Sequence, residues 1–273
     1  MTQASARTGL AEINGAQLFY EIAGVGEPLV LLHAGVADSR MWDEQFAAFA
    51  QHYQVVRYDQ RGFGKSEVPV SAFKSHEELA HLLQHLNIAR ASLIGVSLGG
   101  KIALDFALAY PQMVNALVLV APSVSGAMPT PEVQAFYDAE EEALEAEDLD
   151  GATELNLKMW VDGPKRAASE VDSQIRERVR AMQRQAFATV FPEHAIELDL
   201  EPPASERLNE LQARTLLIVG DYDIDAKIDL ARQLVGQIAN AQLAIIPGAA
   251  HMVNMEKPAE FNQAVLTFLA QPA

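Results

Sequence analysis

A chain of 273 residues, 49% apolar and without a run of 18 consecutive apolar residues, suits one α/β domain with an insertion and excludes a membrane-spanning helix. The absence of cysteine excludes disulfides, thiolate catalysis and Cys-ligated zinc. A formal charge of -17, from 37 acids against 20 bases, opposes nucleic acid and anionic lipid as partners.

The opening "MTQASARTGLAE" lacks the basic start and apolar stretch of a secretory signal, so a cytoplasmic location is expected. "TGLAEING" and "AQLFYEIAG" alternate in polarity around Asn14-Gly15, which predicts an antiparallel hairpin. "PLVLLHA", "YQVVRYD" and "ASLIGVS" then read as strands covered on both faces, with a helix over 75–86 before the third. A helix from about Gly99 to Ala109 leads to the strand "ALVLVAP". From about 125 to 211 no strand-like run occurs. Val133, Phe136, Tyr137 and Leu144 fall at helical spacing, and ten acids lie between Ala127 and Leu157 without a Lys or Arg, as on a solvated helix face. The strand–helix rhythm resumes with "TLLIVGD", a helix over 228–238, "AQLAIIPG" and a final helix over 258–269. The expectation is a doubly wound, mostly parallel sheet of about eight strands, with a core formed by 1–124 and 212–273 and a helical insertion at 125–211.

Ligands of such sheets bind beyond the carboxyl ends of the strands, so the polar residues just after each strand matter most. Ser97 follows "ASLIGV", Asp221, Asp223 and Asp225 follow "TLLIVG", and His251 follows "AQLAIIPG". A serine hydroxyl needs an imidazole to take its proton, and the imidazole needs a carboxylate to hold its tautomer. The sequence alone leaves open which of the three aspartates serves. In "IGVSLGGKIAL", Gly95 and Gly99 permit the close approach that a sharp strand-to-helix bend at Ser97 requires, and Gly100 lets the helix pack tightly. The helix tip offers backbone N–H groups to a developing oxyanion, that of Leu98 first.

These residues carry a resemblance to the α/β-hydrolase superfamily over nearly the whole chain. "LLHAGVADSRMWDEQ" resembles its oxyanion loop, "YDQRGFGKSEVP" the turn after its fourth strand, and "GVSLGG" its nucleophile elbow. "LIVGDYDID" resembles its acid loop and "IPGAAHMVNMEKPAEF" its histidine loop. The resemblance implies Ser97 as nucleophile, His251 as general base and Asp223 as orienting acid. It also implies Gly35 as a second oxyanion donor, His33 as a buttress of that loop and 125–211 as a helical cap over the site. Two departures stand out: His33-Ala34 replaces the usual His-Gly pair, and "DIDAKID" lacks the proline that often follows the acid.

Beside these residues, Val36, Met41, Trp42, Met159, Trp160 and Met252 are the candidates for lining an apolar substrate pocket. Asp59 and Arg61 flank a glycine-rich turn and read as an ion pair or turn bond that fixes it. "HEELAH" fails as a metal motif, because its histidines are five apart, about 140° around a helix, and His81 with His85 lacks a third ligand. No cofactor and no metal is required. The expected activity is hydrolysis of a small carboxylic ester or lactone through an acyl-enzyme. The alternatives are an enol-lactonase or a carbon–carbon bond hydrolase of aromatic catabolism and, outside enzymes, a small-molecule receptor that signals by cap movement. Serine at the elbow argues against dehalogenase or epoxide hydrolase chemistry, which uses a carboxylate there. The partner is a small-molecule ester or lactone. Assembly into a homo-oligomer is left open.

Overall fold

The structure, a computed structural model, describes residues 6–68 and 71–271. The first five residues of the segment read for targeting, and Pro69 of the "YDQRGFGKSEVP" block, lie outside the described residues. The chain begins with the hairpin of β1 (Arg7–Ile13) and β2 (Ala16–Ala23), paired antiparallel. Asn14 and Gly15 take φ of 49° and 76°, the left-handed pair that matches the twist of a two-residue hairpin turn.

The sheet continues with β3 (Pro28–Leu32), β4 (Gln54–Tyr58), β5 (Ala91–Val96), β6 (Val114–Val120), β7 (Arg214–Gly220) and β8 (Ala241–Ile246). Its spatial order is β1-β2-β4-β3-β5-β6-β7-β8. β4 pairs antiparallel with β2, and every pairing from β4 through β3 to β8 is parallel. The expected architecture, eight strands in a mostly parallel sheet between helices, is therefore observed.

Period-two alternation divides the core between the two faces. Leu29 and Leu31 of β3 join Phe46 and Phe49 of α1 (Asp43–Phe49) and Phe261 and Val265 of the final helix (Pro258–Leu269). Val30 and Leu32 join Leu79 and Leu83 of α2 (Ser75–His85) and Ile102 and Phe106 of α3 (Leu98–Ala109). Each such fully buried side chain contributes about 1.5–3 kcal/mol. Helix positions differ from the sequence reading in several places, the short helix Val253–Glu256 among them. The seven-residue α1 was not anticipated, because it is too short to display a helical period. α7 (Asp225–Gln237) starts three residues before the expected Ile228.

Between β6 and β7 the described chain is helical: α4 (Pro131–Glu145), α5 (Leu149–Asn156), a π-helical turn over Leu157–Asp162, and α6 (Ser173–Phe187). Thr130 caps α4 by accepting from the Val133 N–H, with Pro131 at the first helical position, and Asp172 caps α6 in the same way. Most acids of α4 face solvent, and Asp150 and Glu154 pair with Arg184 and Arg180 of α6. Among the described residues no helix is long and apolar enough to cross a membrane.

Candidate active site

The bend between β5 and α3 carries the strain that its glycines foreshadow. Ser97 has φ 53° and ψ -109°, a left-handed conformation that costs an L-residue about 1–3 kcal/mol and persists only when its surroundings enforce it. Its N–H donates to Val120 O (2.9 Å), and its carbonyl accepts from Ser123 N (3.1 Å) and Lys101 N (3.0 Å). A Cβ on Gly95 would fall onto the Gly99 carbonyl and 2.6 Å from Gly100 N. A Cβ on Gly99 would meet the Leu32 carbonyl oxygen and approach His33 O to 2.6 Å. Strand, bend and helix thus touch backbone to backbone, which fixes the direction of Ser97.

The histidine loop after β8 and the acid loop after β7 meet in the interior. His251 Nδ1 and Asp223 Oδ2 lie 2.8 Å apart, both side chains buried. Asp223 Oδ1 accepts from Ile224 N at 2.8 Å. An ionised carboxylate only accepts, so Nδ1 carries the hydrogen and the Nε2 lone pair is left to act as a base. The other two candidate aspartates are engaged elsewhere. Asp221 accepts from Gly248 N (2.6 Å), and Asp225 is exposed and pairs with Lys165 (3.4 Å). The Trp160 ring, on the π-helical turn, packs against the His251 imidazole with centroids 4.7 Å apart.

The loop after β3 approaches from the opposite side. A Cβ on Gly35 would touch Leu98 Cδ2 at 3.6 Å, so the two backbone segments are neighbours. As the first residue of α3, Leu98 has an N–H without a partner within the helix. His33 ties this loop down. Its Nε2 accepts from Gln60 N (2.9 Å), which puts the ring hydrogen on Nδ1, where it is donated to Ala34 O (2.9 Å). Burial lowers the His33 pKa, in keeping with a neutral ring. Asp59 and Arg61 do not pair with each other. Asp59 accepts from Ser39 N and Lys65 N, whereas Arg61 Nε donates to Glu78 (2.6 Å) and its guanidinium also reaches Ile13 O.

Two cavities share Ser97. One, of about 370 Å³, is lined by Gly35, Val36, Ser97, Leu98, Gln183 and His251 among others. The second, of about 450 Å³, includes Ser97, Ser123, Val133, Tyr137, Trp160 and Lys227. Of the expected lining residues, Val36 and Trp160 face these spaces. Met41, Trp42 and Met252 do not: all three are fully buried in the core, where Trp42 packs on Phe261 and Met41 Sδ accepts from Ala34 N. Met159 opens into a separate cavity beside Phe136 and Asp162, because its neighbour Trp160 takes the inward direction on the same turn.

Lys227 and Gln183 escaped the sequence reading, since lysine and glutamine on amphipathic helices read as solvent-facing. Gln183 Oε1 is buried without a hydrogen-bond partner among the described residues. A second supporting group was also missed. Glu256 accepts from Ala250 N (2.9 Å), next to His251, and pairs with Arg166 (2.6 Å). Arg166 in turn donates to the carbonyls of Val161 and Asp162.

A family model described as the alpha/beta hydrolase fold matches residues 27–258. The 2-hydroxy-6-oxo-6-phenylhexa-2,4-dienoate hydrolase of Comamonas testosteroni is 27% identical over 291 aligned positions, covering 99% of this chain and 97% of that protein. A hydrolase from Pseudomonas aeruginosa PA01 shares the structure with a TM-score of 0.80 at 31% identity, covering 97% of this chain and 99% of that one. The enol-lactonase from Burkholderia xenovorans LB400, 24% identical, shares the fold with a TM-score of 0.79 over 96% and 100% of the two chains. The chain belongs to the α/β-hydrolase family and is a hydrolase.

Proposed function

We propose that the chain is a serine hydrolase in which Ser97 attacks a substrate carbonyl, His251 takes the hydroxyl proton and Asp223 holds the imidazole. The reading rests on one observation above all: the 2.8 Å contact of two buried side chains, Asp223 and His251, with His251 and Ser97 lining one cavity. The Asp223 carboxylate keeps the proton on Nδ1 and stabilises the imidazolium that forms. The N–H groups of Gly35 and Leu98 receive the oxyanion, where two fixed donors lower the barrier most. Collapse of the tetrahedral adduct expels the leaving group, which takes the proton back from His251, and leaves an acyl group on Ser97. His251 then activates water to release it. The segment 125–211 acts as a cap over a core of 1–124 and 212–273, with Trp160 and Val133 forming part of its inner wall.

Small carboxylic esters and lactones fit this mechanism, as the sequence suggested. The relatives favour the alternative. Proteins named as 2-hydroxy-6-oxo-dienoate hydrolases align with 91–99% of this chain, which supports cleavage of a carbon–carbon bond beside a ketone. There the 2-hydroxydienoate must first ketonise, its hydroxyl proton passing to C5, so that cleavage of the C5–C6 bond expels a resonance-stabilised dienolate that takes the proton from His251 on oxygen. Three substrates test the reading: 2-hydroxy-6-oxo-6-phenylhexa-2,4-dienoate, an enol-lactone and p-nitrophenyl butyrate. The dienoate should give the highest kcat/KM, and Ser97→Ala should lower turnover of every active substrate at least about a thousandfold. Turnover retained by the Ser97→Ala protein would overturn the assignment.

A further inference from the structure

Lys227 is the third residue of α7, and the fold buries it to 9% exposure. Its Nζ donates to Pro122 O (3.0 Å) and to Ser123 Oγ (3.1 Å), both neutral acceptors. Among the described residues no carboxylate lies within 4.0 Å of it, although an ammonium has three hydrogens to donate. The nearby carboxylates have other partners. Asp223, which favours the charged lysine from beyond contact distance, is taken by His251 and Ile224 N. Asp229, on the rim of the same cavity, pairs with Arg232 at 3.1 Å. Lys227 lines the 450 Å³ cavity together with Ser97, and its Nζ lies 5.9 Å from the centre of the Trp160 ring.

A buried cation with only neutral partners is costly, and an anion seated beside it would offset that cost. Burial lowers the Lys227 pKa to about 8, which still leaves the side chain mostly protonated at neutral pH. We propose that Lys227 is the anion-recognising group of the active site, its ammonium holding a substrate carboxylate at one end of the cavity while Ser97 addresses a carbonyl further along the same molecule. In a protein of net charge -17, this ammonium makes a local exception at the point where an anionic substrate must bind. The 450 Å³ of space is enough for a short chain of carbons between the two groups.

This inference deepens the serine-hydrolase reading and rests on it for the placement of the carbonyl, so the experiment separates the two. Binding is measured by calorimetry on the Ser97→Ala protein, which needs no nucleophile, with monomethyl adipate as the anionic probe and dimethyl adipate as the neutral one. Introducing Lys227→Met should lower the preference for the anion about 30-fold, the scale of a charge-assisted hydrogen bond in a sheltered site. Lys227→Arg should restore part of it, and Lys227→Gln, which can still donate to Pro122 O, should not. On the protein with Ser97 intact, the ratio of kcat/KM for p-nitrophenyl hydrogen adipate over p-nitrophenyl hexanoate should fall in parallel, through KM. Equal losses for the anionic and neutral probes, or restoration by Lys227→Gln, would overturn the proposal and leave Lys227 as a prop for the Pro122–Ser123 loop. Failure of the serine-hydrolase reading would show separately, as ester turnover that survives Ser97→Ala while the binding preference stands.

Discussion

Replacing Asp223 by asparagine isolates the tautomer argument. Both neighbours of the carboxylate are donors: Ile224 N–H to Oδ1 and His251 Nδ1–H to Oδ2, each at 2.8 Å. An asparagine offers one acceptor and one donor in the same space. If its NH₂ group faced Ile224 N–H, two buried donors would oppose each other, at about 1–3 kcal/mol. If its NH₂ group faces His251, the ring moves its hydrogen to Nε2, accepts at Nδ1, and both contacts survive. The second arrangement wins, and it leaves Nε2 protonated and unable to take the Ser97 proton. The expected loss in kcat is about 10⁴-fold, as such a tautomer change brings in other Ser-His-Asp triads, or about 5 kcal/mol in the barrier. The unfolding midpoint in urea should barely move, since no cavity opens and no bond is lost. Steady-state kinetics on the best substrate, beside far-UV circular dichroism, provide the test. A loss of less than about tenfold with the fold intact would refute the reasoning.

Gly95→Ala should lower stability by about 1–3 kcal/mol or more, because its Cβ meets the backbone of Gly99 and Gly100 and no side chain can swing aside; an unchanged denaturation midpoint would contradict this. Glu256→Ala strips the partner from the buried Arg166 and frees the Ala250 N–H, so stability should fall by about 3–5 kcal/mol and kcat/KM should drop as the His251 loop loosens. Denaturation and kinetics measured together would reveal either effect missing. Asp105 is buried against Ser125, and burial raises its pKa from 3.8 to about 6. The folded state therefore binds the proton more tightly than the unfolded chain, and this contribution is present below pH 4 and lost as the pH rises through 6, at about 3 kcal/mol at most. Asp105→Asn keeps an acceptor for Ser125, so the difference in stability between mutant and parent should grow in the mutant's favour from pH 4 to pH 6.5. A flat difference would dismiss the burial argument.

The sheet was legible because its strands are written in apolar runs that only two covered faces accommodate, and because Asn14-Gly15 admits few conformations other than the turn it makes. The ends of those runs also pointed to Ser97 and His251, since side chains just past a parallel strand have few places to go except the site. Neighbours of these residues misled for the same geometric reason. Met252 follows His251 but turns toward the core, and Met41 and Trp42, on the short helical turn that follows the Gly35 loop, pack there as well. Trp160 and Met159 divide in the same way around a π-helical turn that no propensity signals. Lys227 was invisible because lysine in the first turn of an amphipathic helix belongs in solvent. Only the packing of α7 against the chain after β6 closes water away from it.

The central claim is that Ser97 is the activated nucleophile, and mass spectrometry of the intact protein after brief exposure to a fluorophosphonate tests it most directly. The account predicts one adduct, mapped by peptide analysis to Ser97, absent in Ser97→Ala and formed at least about a hundredfold more slowly in His251→Ala. An adduct on another residue, or labelling at Ser97 that proceeds at the same rate without the histidine, would contradict it.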